Sequence, residues 1–182
     1  MVTCPGLPPF RTIVADPPWM EQGSGKCKRG ADRHYPLLRA KEIPCAMRES
    51  GVWRPNVAGC HLYLWVTNNH LEDGLFVMDA LGFRYVTNLC WEKVGRRSFG
   101  LGYYFRGGHE LCLFGVMGKL RTQSRSIPTL FKAERGRHSE KPACFYTLVE
   151  QASPAPRLEM FARAPRPGWV TWGNELEGKV QP

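Results

Sequence analysis

Four consecutive residues, Asp16-Pro17-Pro18-Trp19, combine a carboxylate, two rigid prolines and a large aromatic ring. They directly follow a short apolar run, residues 10–15, which is typical of a buried strand that ends at proline. In a parallel α/β sheet, ligands bind beyond the carboxyl ends of the strands. One interpretation is therefore a binding corner at a strand end. The other is a rigid strand exit with Trp19 packed beneath it.

The exocyclic amine of adenine is the group that best matches such a corner. Its lone pair is delocalised into the ring, so two acceptors for its hydrogens, the Asp16 carboxylate and the Pro17 carbonyl, would concentrate electron density on nitrogen. These hydrogen bonds strengthen as positive charge develops during methyl transfer, which stabilises the transition state more than the ground state. We expect Trp19 to stack on a base that is flipped out of a duplex or is single-stranded.

The composition favours a polyanionic partner. The chain has 182 residues, of which 43% are hydrophobic, and its 25 Lys and Arg against 16 Asp and Glu leave a net charge of +9. This balance predicts one globular domain, residues 1–182, and the charge favours nucleic acid over a membrane surface. We find no signal peptide and no apolar run near the roughly 20 residues that cross a bilayer.

Most of the positive charge falls in three segments, residues 20–50, 93–106 and 119–141, with net charges of +3, +4 and +5. We expect them to be loops. They either surround one groove that holds a phosphate backbone or are simply solvated. Six cations of the first two segments are the candidate nucleic-acid contacts: Lys26, Lys28, Arg29, Arg96, Arg97 and Arg106.

The seven cysteines are scattered and form no Cys-x-x-Cys pair, so we predict free thiols, no metal site and a cytoplasmic protein. Cys60 and His61 lie in an apolar stretch and are expected in the core. We expect His34, His70 and His138 to be exposed loop residues.

Strands that alternate with helices predict an α/β fold with a mostly parallel sheet covered on both faces. The strands are expected at residues 10–15, 61–67, 85–91, 110–116, 157–163 and 169–172. Helices are expected at 40–50, at 70–81 and between Ser139 and Pro154. We expect Asn69 to cap the second helix, and Leu71, Leu75 and Met78 to form its buried face.

Several segments, in one order, resemble the N6-adenine methyltransferases typified by the catalytic subunit of the eukaryotic mRNA adenosine methyltransferase, with its bacterial and phage relatives. The match runs from about residue 11 to 178. It includes residues 15–19, 34–36, 62–68, 90–93, 108–113, 139–142, 158–163 and 173–175.

The resemblance implies a Rossmann-like methyltransferase fold in permuted order, with the catalytic segment before the cofactor-binding strand, and S-adenosylmethionine as cofactor. It places five residues at the methyl-transfer centre: Asp16, Pro17, Pro18, Trp19 and Tyr35. It assigns six residues to the cofactor: Asp16, Lys141, Phe161, Arg163, Asn174 and Glu175.

The resemblance also implies a second subunit, because the mRNA enzyme works with a paralogous partner. We expect a homodimer through residues 96–108 or a separate partner chain. Family members like the mRNA enzyme hold the cofactor adenine through an earlier Asp, whereas residues 1–9 contain no acid. This end of the pocket is therefore expected to be open or completed by another subunit.

The substrate implied by the resemblance is adenine in nucleic acid. We favour DNA, because the chain carries no accessory RNA module and so resembles the bacterial and phage branch. RNA is the alternative with the same chemistry. A catalytically idle relative that binds nucleic acid or scaffolds a partner is the alternative of another class. The intact Asp16–Trp19 segment argues against idleness.

Overall fold

The computed structural model describes residues 6–20, 37–95, 99, 104–136, 140–176 and 180–181. Within these ranges eight strands form one sheet, in the order β5-β3-β4-β2-β1-β6-β7-β8. The strands are β1 (Thr12–Ala15), β2 (Gly59–Val66), β3 (Arg84–Val94), β4 (His109–Gly118), β5 (Leu130–Glu134), β6 (Arg157–Met160), β7 (Val170–Trp172) and β8 (Val180–Gln181). The helices are α1 (Ile43–Glu49), α2 (Leu71–Ala80) and α3 (Ala143–Ala152). None of the helices in these ranges is long and apolar enough to cross a membrane.

The strand β1 lies in the middle of the sheet and pairs in parallel with both β2 and β6. The pairs β6–β7 and β3–β5 are also parallel, whereas β2–β4, β3–β4 and β7–β8 are antiparallel. Because β4 runs against β2, the start of β4 meets the carboxyl ends of β1, β2 and β6 at one edge of the sheet. This edge is called the carboxyl edge below. The expected α/β fold with a mostly parallel sheet is confirmed.

Both faces of the sheet are buried, which explains why its central strands are almost continuously apolar. Along β2, Leu62 and Leu64 point to one side, into a cluster that includes residues of α1 and α2. Tyr63 and Trp65 point to the other side, into a cluster that includes Phe145 and Val149 of α3. The second side is called the α3 face below, and the prediction of a covered sheet is confirmed.

All six expected strands are present, with their ends shifted by a few residues. Two strands were not expected. The strand β5 lies in segment 119–141, which the sequence analysis predicts to be loop. Its residues alternate between exposed and half-buried, so no continuous apolar run marks it in the sequence. The two-residue strand β8 is too short to leave a sequence pattern. The strand expected at 157–163 ends at Met160, because Phe161 has a φ of 64° and turns the chain out of the sheet.

The expected cap of the second helix is wrong. Asn69 lies inside a 3-10 turn, Asn68–His70, and no side chain caps α2. The expected buried face is also partly wrong, since Leu71 and Leu75 are each 37% exposed. The helix packs instead through Gly74, Val77 and Met78. A Cβ on Gly74 would lie 2.5 Å from Cγ1 of Val66, so close approach to the sheet decides which face is buried.

The third helix begins later than expected. Ser139 lies outside the described residues, and Pro142, which was placed in the first turn, is the extended residue that precedes α3. The helix ends at Ala152, two residues before the expected stop at Pro154. Proline at the entry is tolerated because the first N–H groups of a helix have no partner within the helix.

Candidate active site

The carboxylate of Asp16 stands at the carboxyl edge of the central strand. Asp16 follows Ala15, the last residue of β1, and the Asp16 backbone N–H donates to the carbonyl of Met160 at 3.4 Å. The chain leaves β1 toward β2 on one side and returns as β6 on the other. Such a reversal of strand order opens a crevice where α/β proteins bind ligands. The expected position of Asp16 at a ligand-binding edge is thus supported by the topology.

The two prolines and Trp19 form a tightly bonded exit from β1. The Trp19 N–H donates to the Pro17 carbonyl at 2.9 Å, and the Leu38 N–H donates to the Pro18 carbonyl at 2.8 Å. The indole N–H of Trp19 donates to the Trp65 carbonyl at 2.9 Å. The Pro17 carbonyl therefore keeps one lone pair for a substrate hydrogen rather than two.

The ring of Trp19 is packed into the core. It is 6% exposed, and it stacks on the His70 ring with 5.3 Å between centroids and 19° between planes. His70 is itself 8% exposed and its Nδ1 lies 2.7 Å from Oδ2 of Asp73. The expectation of an exposed His70 is wrong. The geometry agrees with the second interpretation of the sequence, in which Trp19 is a packing residue. Stacking of Trp19 on a base stays a prediction.

Four charged side chains form a chain of ion pairs behind Asp16. Lys141 Nζ lies 2.9 Å from Oδ2 of Asp16 and 3.2 Å from Oε2 of Glu110. Lys93 Nζ lies 2.5 Å from Oε1 of Glu110. Both lysine side chains are less than 10% exposed, that of Glu110 is 19% exposed, and that of Asp16 is 32% exposed. Two cations and two anions thus balance, with both cations buried and the Asp16 carboxylate open to the crevice.

The ion pairs come together because their four elements end at one edge. Asp16 follows β1, Lys93 lies near the end of β3, Glu110 near the start of the antiparallel β4, and Lys141 before α3. Beneath the cations lie two aromatic rings. Lys141 Nζ is 4.9 Å from the centre of the Trp65 ring, and Lys93 Nζ is 5.3 Å from that of Trp91. Cation–π contact gives each buried ammonium further stabilisation.

The ion pairs set the charge state of the site. Burial raises the pKa of Asp16 above its usual value, even though Lys141 opposes this shift. Burial would also raise the pKa of Glu110, but Lys141 and Lys93 together hold it below the usual range. Burial lowers the pKa of Lys141, and the Asp16 and Glu110 carboxylates more than offset this, so the net shift is upward. Lys141 therefore carries a firm positive charge at neutral pH.

The ends of β6 and β7 form the other side of the crevice. Ala162 N–H donates to the Trp172 carbonyl at 2.9 Å, and the Phe161 ring meets the Trp172 ring edge-on at 5.3 Å. A Cβ on Gly173 would lie 1.9 Å from the Ala162 carbonyl oxygen, so only glycine fits there. These contacts hold the two strand ends together.

The remaining candidate cofactor residues follow these strand ends. Burial raises the pKa of Asp16, and the Arg163 cation is one of the charges that oppose this rise. Arg163 therefore lies within electrostatic reach of the Asp16 carboxylate. Asn174 and Glu175 are exposed and form the turn after β7. The structure thus brings Asp16, Lys141 and Arg163 into one electrostatic group, and sets Asn174 and Glu175 at the same edge.

Several candidate residues cannot be placed. Arg106 is described and is exposed. The others lie outside the described residues: Lys26, Lys28, Arg29, Tyr35, Arg96 and Arg97. Their proposed contacts with base or phosphate stay predictions.

The sequence analysis missed Glu110 and Lys93 as members of the site, although both lie in matched segments. The signal that could have found them is a charged residue near the end of an otherwise apolar strand, since such a charge is rarely buried without a partner. It also missed a second buried carboxylate, Glu159. This side chain accepts a hydrogen bond from Tyr146 Oη at 2.5 Å and lies 3.2 Å from Nε of Arg166. Burial raises the pKa of Glu159 despite both partners.

Comparison with known proteins identifies the family. The model of the MT-A70 family matches residues 10–175. The chain belongs to the MT-A70 family. The matched range contains Asp16, Glu110, Lys141, Arg163 and Asn174, so the family match covers the whole candidate site.

Individual MT-A70 relatives include eukaryotic and bacterial proteins. The chain is 30% identical over 181 residues to the N(6)-adenosine-methyltransferase MT-A70-like protein of Drosophila melanogaster, covering 93% of this chain and 27% of the relative. It is 29% identical over 181 residues to the human N(6)-adenosine-methyltransferase catalytic subunit METTL3, covering 93% and 28%. It is 28% identical over 194 residues to the type II methyltransferase M.MunI of a Mycoplasma species, covering 94% and 80%. The chain thus spans just over a quarter of the fly and human relatives.

Methyltransferases of the MT-A70 family use S-adenosylmethionine. The described residues fit this cofactor. The cofactor carries a carboxylate, for which Lys141 and Arg163 supply cations, and ribose hydroxyls, for which Asn174 and Glu175 supply hydrogen-bonding groups. Three buried polar atoms have no hydrogen-bond partner among the described residues: Nε1 of Trp65, Oγ1 of Thr67 and Nε of Arg157. The first two belong to residues at the end of β2, near the carboxyl edge, where a bound ligand or water would pair with them.

Proposed function

We propose that this chain transfers a methyl group from S-adenosylmethionine to the N6 amine of adenine in DNA. The observation that carries the proposal is the Asp16 carboxylate. Lys141 holds this carboxylate at the carboxyl edge, where the strand order reverses. The family match over residues 10–175 includes both side chains. Bound S-adenosylmethionine supplies the electrophilic methyl group; the chain must supply position and charge.

Asp16 and Pro17 would hold the amine of the target base. Oδ2 of Asp16 is engaged by Lys141, which leaves Oδ1 to accept one amine hydrogen. The free lone pair of the Pro17 carbonyl accepts the other. Both acceptors are held rigidly, so their bonds to the nitrogen strengthen as positive charge develops on it. Because burial raises the pKa of Asp16, its carboxylate is also better suited to take the proton that the methylated amine releases.

Lys141 and Glu110 would act by keeping this carboxylate in place. A lone buried carboxylate at the crevice would either rotate toward water or take up a proton. The fixed Lys141 cation holds the carboxylate in position and favours its ionised form before the reaction, and Glu110 also pairs with Lys141. Trp19 would hold the Pro17–Pro18 backbone through its bond to Trp65, and its stacking on the base stays a prediction.

DNA is the proposed substrate because the chain covers a larger share of the bacterial relative M.MunI than of the adenosine methyltransferases. M.MunI, a type II methyltransferase, is covered over 80% of its own length, whereas the adenosine methyltransferases are covered over 27–28%. The net charge of +9 suits either nucleic acid. Adenosine in RNA is the alternative substrate, supported by the identity to METTL3.

The proposal is tested by transfer of a labelled methyl group to DNA and RNA oligonucleotides, followed by mass spectrometry of the nucleosides. N6-methyldeoxyadenosine is the expected product; N6-methyladenosine from RNA alone would move the substrate to RNA. Asp16→Ala should lower the rate at least about 10²-fold, the scale of losing one preorganised group, while calorimetry still detects cofactor binding. No transfer to either substrate by a protein that binds the cofactor would contradict the proposal and favour an idle relative.

A further inference from the structure

A strongly basic site lies at the edge of the sheet opposite the carboxyl edge. A cavity of about 430 Å³ is bordered there by three arginines, Arg84, Arg121 and Arg125, around a floor that includes Phe114 and Val116. Among the described residues, no acidic side chain lines it. In the described part of the chain, none of these arginines lies within ion-pair distance of a carboxylate. We call this site the arginine cavity.

Residues 119–123, which form the outer wall of the arginine cavity, are held in place by several hydrogen bonds. His61 is fully buried, and its Nε2 lies 3.1 Å from the carbonyl oxygen of Leu120. On either side of Leu120, the Lys119 N–H donates to Ala58 at 3.0 Å and the Gln123 N–H donates to Ala152 at 2.8 Å. Residues 119–123 are therefore bonded to β2 and to the end of α3, which fixes where Arg121 projects.

The first half of the basic segment 119–141 lies away from Asp16, whereas residues 21–36 and most of residues 96–103 lie outside the described residues, so a groove shared by the three segments stays a prediction. Gly118 pairs with Gly59 at the start of β2, so the chain enters the segment at the edge opposite Asp16. Only its last residues, which include Lys141, return to the carboxyl edge. The arginines of its first half must therefore act away from the transfer centre.

The register of the sheet gives the separation. Arg84 lies level with Val116, His61 and Thr12 across four neighbouring strands. Asp16 is four residues further along β1, which is about 13 Å along the strands and about 14 Å across three strand spacings. Within the cavity lining, the backbone of Arg84 is thus about 20 Å from that of Asp16, and the backbone of His61, one strand spacing away, is about 14 Å from it. The helix α3 covers the sheet between the two sites, so a ligand that contacts both must pass over the outer surface of the protein on that side.

We propose that the arginine cavity binds phosphodiester groups of the nucleic-acid substrate about 14–20 Å, or about four to six stacked nucleotides, from the target adenine. This inference rests on the proposed function for its ligand. Arginine suits phosphate because its planar guanidinium donates two parallel hydrogen bonds. Three such cations with no acid beside them favour a polyanion over a neutral ligand.

The test compares a short and a long adenine-containing oligonucleotide, of about 4 and about 16 nucleotides, since only the long one reaches the arginine cavity. Binding is measured by fluorescence anisotropy over a range of salt concentrations. The triple variant Arg84→Gln, Arg121→Gln, Arg125→Gln should flatten the salt slope for the long oligonucleotide by about 2, which corresponds to about a 10²-fold loss of affinity at 0.1 M salt. The ratio of long to short affinities should fall toward one.

The matched control for Arg125→Gln is Arg54→Gln, which removes one exposed arginine that does not line the arginine cavity. The control should leave the slope unchanged, whereas Arg125→Gln should lower it by about 0.7 to 0.9. Circular dichroism checks that the variants fold. Equal slopes for the triple variant and the parent protein would overturn the inference, even if the parent methylates DNA.

Two further outcomes separate the inference from its premise. Loss of long-oligonucleotide binding in the triple variant, with no methyl transfer by the parent, would support the arginine cavity and overturn the proposed function. Calorimetric binding of inorganic phosphate that depends on the three arginines but does not compete with the long oligonucleotide would assign the arginine cavity to a free anion and overturn the inference.

Discussion

Replacement of Lys141 by methionine removes the one cation that lies between two carboxylates of the site. Its Nζ is 2.9 Å from Asp16 and 3.2 Å from Glu110, and the side chain is 9% exposed. At an effective dielectric constant of about 20, the two attractions are about 6 and about 5 kcal/mol, and the desolvation of each ion costs several kcal/mol in return. Breaking a buried pair from one side typically costs about 3–5 kcal/mol, because the remaining charge is left uncompensated.

We therefore expect Lys141→Met to lower the free energy of unfolding by about 3–5 kcal/mol, measured by urea denaturation at neutral pH without cofactor. The matched control is Lys132→Met. Lys132 also pairs with a carboxylate, Glu92, at 3.3 Å, but its side chain is 64% exposed. Exposed pairs contribute about 0–1 kcal/mol, so the control should change stability little.

The double variant Asp16→Asn, Lys141→Met removes the stranded carboxylate together with the cation. Part of the lost stability should return, giving a coupling energy of about 1–3 kcal/mol between the two positions. Equal unfolding free energies for Lys141→Met and Lys132→Met, with no coupling to Asp16, would refute the reasoning that this ion pair is buried and mutually dependent.

Two further predictions concern the same edge of the sheet. Gly173→Ala should destabilise the protein by about 1–3 kcal/mol and weaken cofactor binding, because the added Cβ meets the Ala162 carbonyl at 1.9 Å; Gly107→Ala, where nothing lies within 4 Å, should be neutral in the same thermal melts. Ionised Glu110 should contribute stability that is fully present above its unfolded pKa near 4.5 and lost as pH falls through its lower folded pKa. Glu110→Gln should thus cost more stability at pH 7 than at pH 3, and a difference independent of pH would contradict the assigned ion pairs.

Local patterns were sufficient for the parts of this protein that depend on near neighbours in the chain. The apolar runs of the six expected strands and the prolines that end β1 are visible because burial on both faces demands continuous hydrophobicity. The order of several matched segments indicated the family, the cofactor and the position of Asp16. Each of these signals lies within a few residues or in their linear order.

Tertiary contacts decided the features that join distant residues. Close packing of Gly74 on the sheet left Leu71 and Leu75 exposed, although their spacing suits a buried face. Edge pairing with β3 made a strand of residues 130–134, whose own pattern favours a loop. In each case the deciding partner lies far along the chain, and helical or strand period alone does not identify it.

The same division runs through the functional site. The acid, the prolines and the aromatic ring of residues 16–19 are adjacent in the chain, so the sequence alone was enough to propose them as a site. The ion pairs of Lys141 with both Asp16 and Glu110, and the distance of the arginine cavity from the transfer centre, arise only in the folded sheet, where the end of β1, the start of β4 and the residues before α3 meet. Charges interact through space, and the folded sheet alone sets how far apart they stand.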